Sequence, residues 1–235
     1  ISKNLAELKA NKVSQKNPNL LVLGADSVID LNGELISKPE SREEAFSILK
    51  KLIVGIDEVG RGCIAGPVVA AAVILGKKDI SPLKDSKLLS SKKRLLLSKE
   101  IKKNCLEFSI AEISSKDVDK LNIKRASLLA MKKAAEGLKN KNIEIIVDGL
   151  DKIETIYPCK AIIKADNIFK EVMAASIIAK VYRDKVMIDL NKKFPEYLFD
   201  KHKGYPTKEH LHALKKFGSI EEHRKTFRPV RQLNE

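Results

Sequence analysis

At 235 residues and 26.2 kDa, with 43% hydrophobic residues, the chain can build one large domain, or a domain and an appendage, around a sizeable core. No apolar run approaches the ~20 residues of a membrane-spanning helix, and the N-terminus lacks the apolar stretch of a signal peptide, so no membrane association is expected and a cytoplasmic location is. The net charge of +14 is unevenly spread: residues 1–52 carry 8 Lys+Arg against 7 Asp+Glu, leaving 37 against 24 beyond, a surplus suited to polyanions such as nucleic acid.

The opening residues, 1–16, have helical spacing, and Leu20 to Leu23 reads as a strand. Val28 to Leu31, Asn32-Gly33 and Glu34 to Ile36 predict a hairpin, because Asn-Gly supplies the positive φ angles of a tight two-residue turn. Ser41 with Glu44 fits a capping box at the start of a helix faced by Ala45, Ile48, Leu49 and Leu52. That helix runs without a linker into the apolar run Ile53–Ile56, whereas most connections within a domain take about four to six residues. A junction between two unrelated pieces is expected there.

Ile53 to Leu75 predicts two buried strands joined by a charged, glycine-rich turn containing Asp57, Glu58 and Gly60-Arg61-Gly62. Beyond it the periodicity predicts a helix over Lys92–Cys105, a strand over Phe108–Ile113 and helix through most of Asp117–Leu138. Ile143–Val147 and Ala161–Ile163 read as strands, Asn167–Phe194 as a long helix stopped by Pro195, and Lys208–Phe217 as a final helix. This alternation indicates an α/β fold.

Cys63, Cys105 and Cys159 share no metal-type spacing and read as reduced thiols. His202, His210, His212 and His223 contain no i,i+4 pair and read as core or surface residues rather than zinc ligands. The glycines at 60, 62 and 66 lead into a strand, not a helix, which excludes a dinucleotide fingerprint.

Four carboxylates, Asp57, Glu58, Asp148 and Asp166, fall where predicted strands end. Brought together they repel and raise one another's pKa unless cations neutralise them, and two-metal hydrolysis of phosphodiesters uses such a set. Taken singly, Asp148-Gly149 fits a turn and Asp166-Asn167 a helix cap. Adjacent residues of a regular strand face opposite ways, so Asp57 and Glu58 share a metal pair only if the strand ends or bulges at Glu58, or if Glu58 uses its backbone carbonyl. Ser176 and Lys180, spaced i,i+4, share one helix face.

Asp57-Glu58-Val59-Gly60-Arg61-Gly62, Ala65-Gly66-Pro67, Asp85-Ser86-Lys87, Val147-Asp148-Gly149, Lys164-Ala165-Asp166, Ala174 to Asp184 and His202-Lys203-Gly204-Tyr205 follow one another in the order of ribonuclease HII, which residues 53 to about 231 resemble. The resemblance implies a ribonuclease-H-like mixed sheet flanked by helices, with a helical C-terminal part, in a domain over 53–235. It implies a monomeric endonuclease acting on RNA:DNA hybrids and on duplex DNA with embedded ribonucleotides, nicking 5′ to the ribonucleotide. Asp57, Glu58, Asp148 and Asp166 would bind Mg²⁺ or Mn²⁺. Gly60, Arg61, Gly62 and Tyr205 would read the ribonucleotide junction, and Ser176, Lys180 and Lys87 would contact phosphate. Gly149-Leu150-Asp151 departs from the Gly-Asn often found there.

Residues 1–52 instead resemble part of a Maf-like nucleotide pyrophosphatase, through Val22 to Val28 and Asn32-Gly33-Glu34 with Lys38-Pro39. Asp26 would be the general base there, with Lys9 and Lys38 near the phosphates. The family's N-terminal Ser-and-Arg motif and C-terminal half are absent, and so short a piece cannot bury a proper core. A truncated, inactive segment is expected, residual pyrophosphatase activity being the alternative function.

Overall fold

The structure is a computed structural model that describes residues 29–31, 34–36, 51–76, 78, 80, 83 and 89–234. The chain divides into two units, Ile1–Lys51 and Leu52–Glu235. In the first, β1 (Ile29–Leu31) pairs antiparallel with β2 (Glu34–Ile36), the hairpin that Asn32-Gly33 predicts. The expected helix from Ser41, the strand at Leu20, and Lys9, Asp26 and Lys38 lie outside the described residues, as does Lys87 of the second unit.

The second unit is built on a five-stranded mixed sheet of order β5-β4-β3-β6-β7. β3 (Leu52–Val59) and β4 (Val68–Ile74) are the strands flanking the charged turn. After helix α1 (Ser91–Asn104) comes β5 (Glu107–Ile113), then α2 (Ser115–Leu121), α3 (Ile123–Glu136), β6 (Ile143–Asp148) and β7 (Cys159–Ile162). The long α4 (Lys170–Lys193) follows, then α5 (Phe199–His202), α6 (Lys208–Phe217) and α7 (Arg228–Asn234), the last not anticipated from periodicity. β4 runs antiparallel to both β3 and β5, whereas β6 runs parallel to β3 and β7 parallel to β6. This is the expected mixed sheet flanked by helices.

Both faces of β4 are buried, so its sequence is uniformly small and apolar. One face, with Val54, Ile56, Ala70 and Ala72, packs on Ala126, Ala130 and Ala134 of α3. The other, with Val69, Ala71 and Val73, packs on Ala174, Ala175, Ile177 and Ile178 of α4 and on Leu97 and Ile101 of α1. Gly55 sets the height of α4: a Cβ there would lie 2.1 Å from the Glu171 carbonyl carbon and 2.2 Å from the Val172 nitrogen. Helix backbone therefore rests directly on strand backbone beside Asp57.

Two boundaries differ from the periodicity. The helical stretch 117–138 is broken at Asn122, whose φ of 65° ends α2 while its side chain accepts from Arg125 N–H and caps α3. Asn122 takes φ 65° with ψ 162°, which stops α2, and its side chain provides the cap, so one residue does both. The long helix begins at Lys170, later than expected; Ala165–Asn167 form a separate 3₁₀ turn after the left-handed Lys164.

The C-terminal helices are joined to the sheet through backbone carbonyls. Arg183, fully buried on α4, donates to Pro67 O at 2.9 Å, Ala65 O at 3.1 Å and Lys203 O at 2.8 Å. Arg224, also fully buried, donates from Nε and Nη2 to Gly66 O at 3.1 and 2.9 Å and from Nη1 to Arg61 O at 3.2 Å. A short antiparallel bridge pairs Ala65 with His223.

Candidate active site

Parallel pairing of β3 with β6 and of β6 with β7 brings the ends of these strands together. Asp57 sits near the end of β3, Asp148 is the last residue of β6, and Asp166 lies in the 3₁₀ turn after β7. One carboxylate oxygen from each of Asp57, Asp148 and Asp166 lies within 4.8 Å of the other two. Asp57 and Asp166 are buried and Asp148 is half-buried. Backbone amides fix their rotamers: Glu58 N–H donates to Asp57 Oδ1 and Ala165 N–H to Asp148 Oδ1, both at 2.8 Å. Asp57 faces α4, where the Ser176 hydroxyl donates to its carboxylate.

Such a group is costly on its own. Burial, then the neighbouring charges of Glu58 and Asp148, push the Asp57 carboxyl up to about 8, despite the Ser176 hydroxyl pulling it down. Hard divalent cations prefer clustered carboxylate oxygens, and their charge would remove this repulsion. The donor set therefore fits a Mg²⁺- or Mn²⁺-type ion.

Glu58 stands apart from the three aspartates. β3 keeps a regular register through it, with Asp57 opposite Ala71, Glu58 opposite Ala70 and Val59 opposite Val69, so no bulge turns its side chain to Asp57's face. Its carboxylate pairs instead with Arg61 Nη1 at 3.2 Å. Burial raises the Glu58 pKa while Arg61 opposes the rise.

A cleft of about 280 Å³ opens next to this set, lined by Glu58, Val59, Arg94, Ser176, Ile177, Lys180 and Tyr205. Lys180 Nζ pairs with Asp184 Oδ1 at 2.7 Å and lies 5.9 Å from the centre of the Tyr205 ring. Gly62 faces that ring, since a Cβ there would lie 3.9 Å from Tyr205 Cε1. Gly60, at φ +96°, has no room for a side chain: a Cβ would lie 2.3 Å from Arg183 Nε. Arg61 projects outward, its side chain 52% exposed. Ser176, Lys180, Tyr205 and the Gly60–Gly62 turn are thus gathered beside the carboxylates. Arg94, not anticipated from the sequence, donates to Leu89 O at 2.9 Å and lies 3.8 Å from Asp184. A cation in the first turn of the helix predicted after the Asp85-Ser86-Lys87 stretch was its only signal. Asp151 of the variant Gly-Leu-Asp stretch pairs with Lys124 at 2.8 Å.

The family model for ribonuclease HII matches residues 54–230, which hold the site and all of the sheet but the first two residues of β3. The chain belongs to the ribonuclease HII family. Ribonuclease HII of Hydrogenovibrio crunogenus (strain DSM 25203 / XCL-2) is 48% identical over 186 residues, which cover 79% of this chain and 90% of that protein. Among solved structures, the ribonuclease H2 of Pyrococcus horikoshii OT3 superposes with a TM-score of 0.65 at 25% identity, covering 77% of this chain and 96% of that one. The ribonuclease HII of Archaeoglobus fulgidus, solved as a complex with PCNA, gives 0.66 at 29% identity, covering 78% and 97%. Ribonuclease HII membership makes the protein a ribonuclease H hydrolase, an endonuclease for RNA:DNA hybrids. The Maf-like protein model matches residues 1–71. The two matches overlap over residues 54–71, where the structure has β3 and the start of β4, strands of the ribonuclease sheet.

Proposed function

We propose that the protein nicks the RNA strand of RNA:DNA hybrids, and duplex DNA 5′ to an embedded ribonucleotide, by two-metal-ion hydrolysis leaving a 5′-phosphomonoester. The convergence of Asp57, Asp148 and Asp166 within 4.8 Å carries this reading. With Glu58 they would hold Mg²⁺ or Mn²⁺. Bound ions of this kind activate the attacking water and neutralise charge on the leaving oxygen.

The residues around the carboxylates have separable tasks. Ser176 holds the Asp57 carboxylate through its hydroxyl, keeping an oxygen aimed at the cluster. Lys180 adds positive charge to the cleft wall, where a backbone phosphate would pass. Gly60, Arg61 and Gly62 present backbone next to the Tyr205 ring, close enough to test a ribose 2′-OH, the group that distinguishes RNA from DNA. Tyr205, 38% exposed, offers its ring to the neighbouring sugar or base. The Maf-like match at 1–71 favours a second, lesser reading, residual nucleoside triphosphate pyrophosphatase activity.

A labelled duplex carrying one ribonucleotide tests the proposal. A nick 5′ to that ribonucleotide is expected with Mg²⁺ or Mn²⁺ and not with EDTA; its absence under both metals would refute it. Pyrophosphate release that disappears in Asp26→Ala would establish the second reading.

A further inference from the structure

In the segment that follows α4, three histidines are packed together: His202, His210 and His223, all buried. The rings of His202 and His210 stack with centroids 4.2 Å apart and planes 13° from parallel. Every ring nitrogen has a partner, and the backbone partners fix each tautomer. Ile220 N–H donates to His223 Nδ1 at 3.1 Å, so that nitrogen bears no proton and His223 carries its proton on Nε2. His223 Nε2 lies 3.1 Å from His210 Nε2, which must therefore accept. The remaining His210 proton, on Nδ1, is donated to the Tyr205 carbonyl at 2.9 Å. His202 is fixed likewise: its Nδ1 accepts from Gly204 N–H at 3.2 Å, and its Nε2–H donates to Tyr197 O at 2.7 Å.

The result is a directed chain of hydrogen bonds among neutral rings, from Ile220 N–H through His223 and His210 to Tyr205 C=O. It ends on the residue whose side chain lines the cleft. The other end of Tyr205 is held too, its hydroxyl being hydrogen-bonded to the Cys63 thiol in the turn after Gly62. Gly204 O accepts from Ile64 N–H at 2.9 Å, and a Cβ at Gly204 would lie 2.4 Å from Ala65 O, so the segment bearing Tyr205 lies hard against the turn. The Tyr205 N–H donates to His202 O at 3.0 Å, and its carbonyl accepts from Thr207 N–H at 2.8 Å as well as from His210 Nδ1–H, the one side-chain donor to that carbonyl among the described residues. All six ring nitrogens of the three histidines are thus engaged in hydrogen bonds.

We propose that His210, oriented by His223 and stacked on His202, is a positioning residue for Tyr205 and so for substrate engagement. This rests on the reading of Tyr205 as a substrate contact. A His210→Gln variant places its amide near the Nε2 position and cannot reach the Tyr205 carbonyl; His210→Asn places an N–H near Nδ1 and can. With the single-ribonucleotide duplex, His210→Gln should raise KM about tenfold, the effect of losing one oriented buried hydrogen bond, with kcat changed less than about twofold. His210→Asn should restore most of the loss. In a Tyr205→Ala background, His210→Gln should cost nothing further, because its effect passes through the tyrosine.

Melting curves establish that each variant is folded. Should His210→Gln not fold, His223→Phe carries the same test: it removes the donor that fixes the His210 tautomer, and a rise in KM of about threefold is expected. Wild-type KM in the folded variant would overturn the proposal. So would a penalty that adds in full in the Tyr205→Ala background, since that is what a merely structural histidine would give. If Tyr205→Ala itself cleaves like wild type, the reading of Tyr205 as a substrate contact falls, and the proposal with it; that outcome is told apart because it appears with both histidines intact.

Discussion

Replacing Asp57 by Asn should make the metal-free protein more stable while abolishing cleavage. In the folded chain the Asp57 carboxyl is raised from 3.8 to about 8, by burial first and by Glu58 and Asp148 next. A raised carboxylate binds more protons folded than unfolded, so its stabilising contribution is present at low pH and is lost as pH rises through the window from 3.8 to 8. At pH 7 the linkage amounts to about 4 kcal/mol of destabilisation, approaching roughly 6 kcal/mol above pH 8. An Asn amide keeps an oxygen for the Glu58 N–H and carries no charge, so the variant should gain about 2–4 kcal/mol at pH 7 in EDTA, the lower figure reflecting its weaker bond to Ser176. For a unit of this size that is roughly 5–15 °C in melting temperature. The difference should shrink toward zero near pH 4. Millimolar Mg²⁺ should then raise the wild-type melting temperature and leave Asp57→Asn nearly unmoved. Thermal melts at pH 5, 7 and 8.5, with and without Mg²⁺, decide it. A less stable variant in EDTA at pH 7, or an equal Mg²⁺ response in both proteins, would refute the view that this cluster is strained until a cation neutralises it.

Asp148→Asn should eliminate nicking while hybrid affinity, measured by fluorescence anisotropy without metal, changes less than about threefold, because phosphate contacts supply most of the binding. His210 and His223 are each lowered from 6.5 to about 4 by burial, so the unfolded chain binds more protons than the folded one between those values and acid destabilises. In Mg²⁺-saturated protein, where the opposing Asp57 contribution is removed, the two rings together should cost about 4 kcal/mol between pH 7 and pH 5; urea midpoints that do not fall over that interval would contradict it. Gly55→Ala should cost about 3 kcal/mol by overpacking α4 against β3 and should lower kcat as Ser176 shifts from Asp57, read by urea unfolding and single-turnover cleavage. Arg183→Met should destabilise by about 3 kcal/mol, because three buried carbonyls lose their donor; a melting temperature within about 2 °C of wild type would deny it that role.

What was legible in the sequence was local. The apolar runs around Asp57 gave β3 and β4, and the ends of the β-branched runs gave Asp148 and Asp166, because strand termini are marked by a change of composition within a few residues. The break at Asn122 was hidden by apolar periodicity that continues across it, since α2 and α3 both pack on the same face of the sheet. Asp166 was read next to a helix start, but the left-handed Lys164 inserts a separate turn that spacing does not reveal. The divergence of Glu58 from Asp57 followed from strand alternation alone, whereas its pairing with Arg61 needed coordinates. What Arg183, Arg224 and the three histidines hold could not be read from the sequence, because their partners are backbone atoms up to 163 positions away, or each other.

That last feature bears on how the molecule can change over time. Arg183 and Arg224 grip the 61–67 turn only by its carbonyls, and carbonyls are the same in every residue. Mutation at Arg61, whose side chain projects outward while its carbonyl is held by Arg224, can therefore alter what the turn presents without loosening the joint that holds the C-terminal helices to it. The positions that cannot drift are those where a side chain would intrude, Gly60, Gly66 and Gly204. A hinge of this kind is blind to the identity of what it holds and strict about its volume. Substrate preference could thus be retuned one residue at a time without rebuilding the assembly.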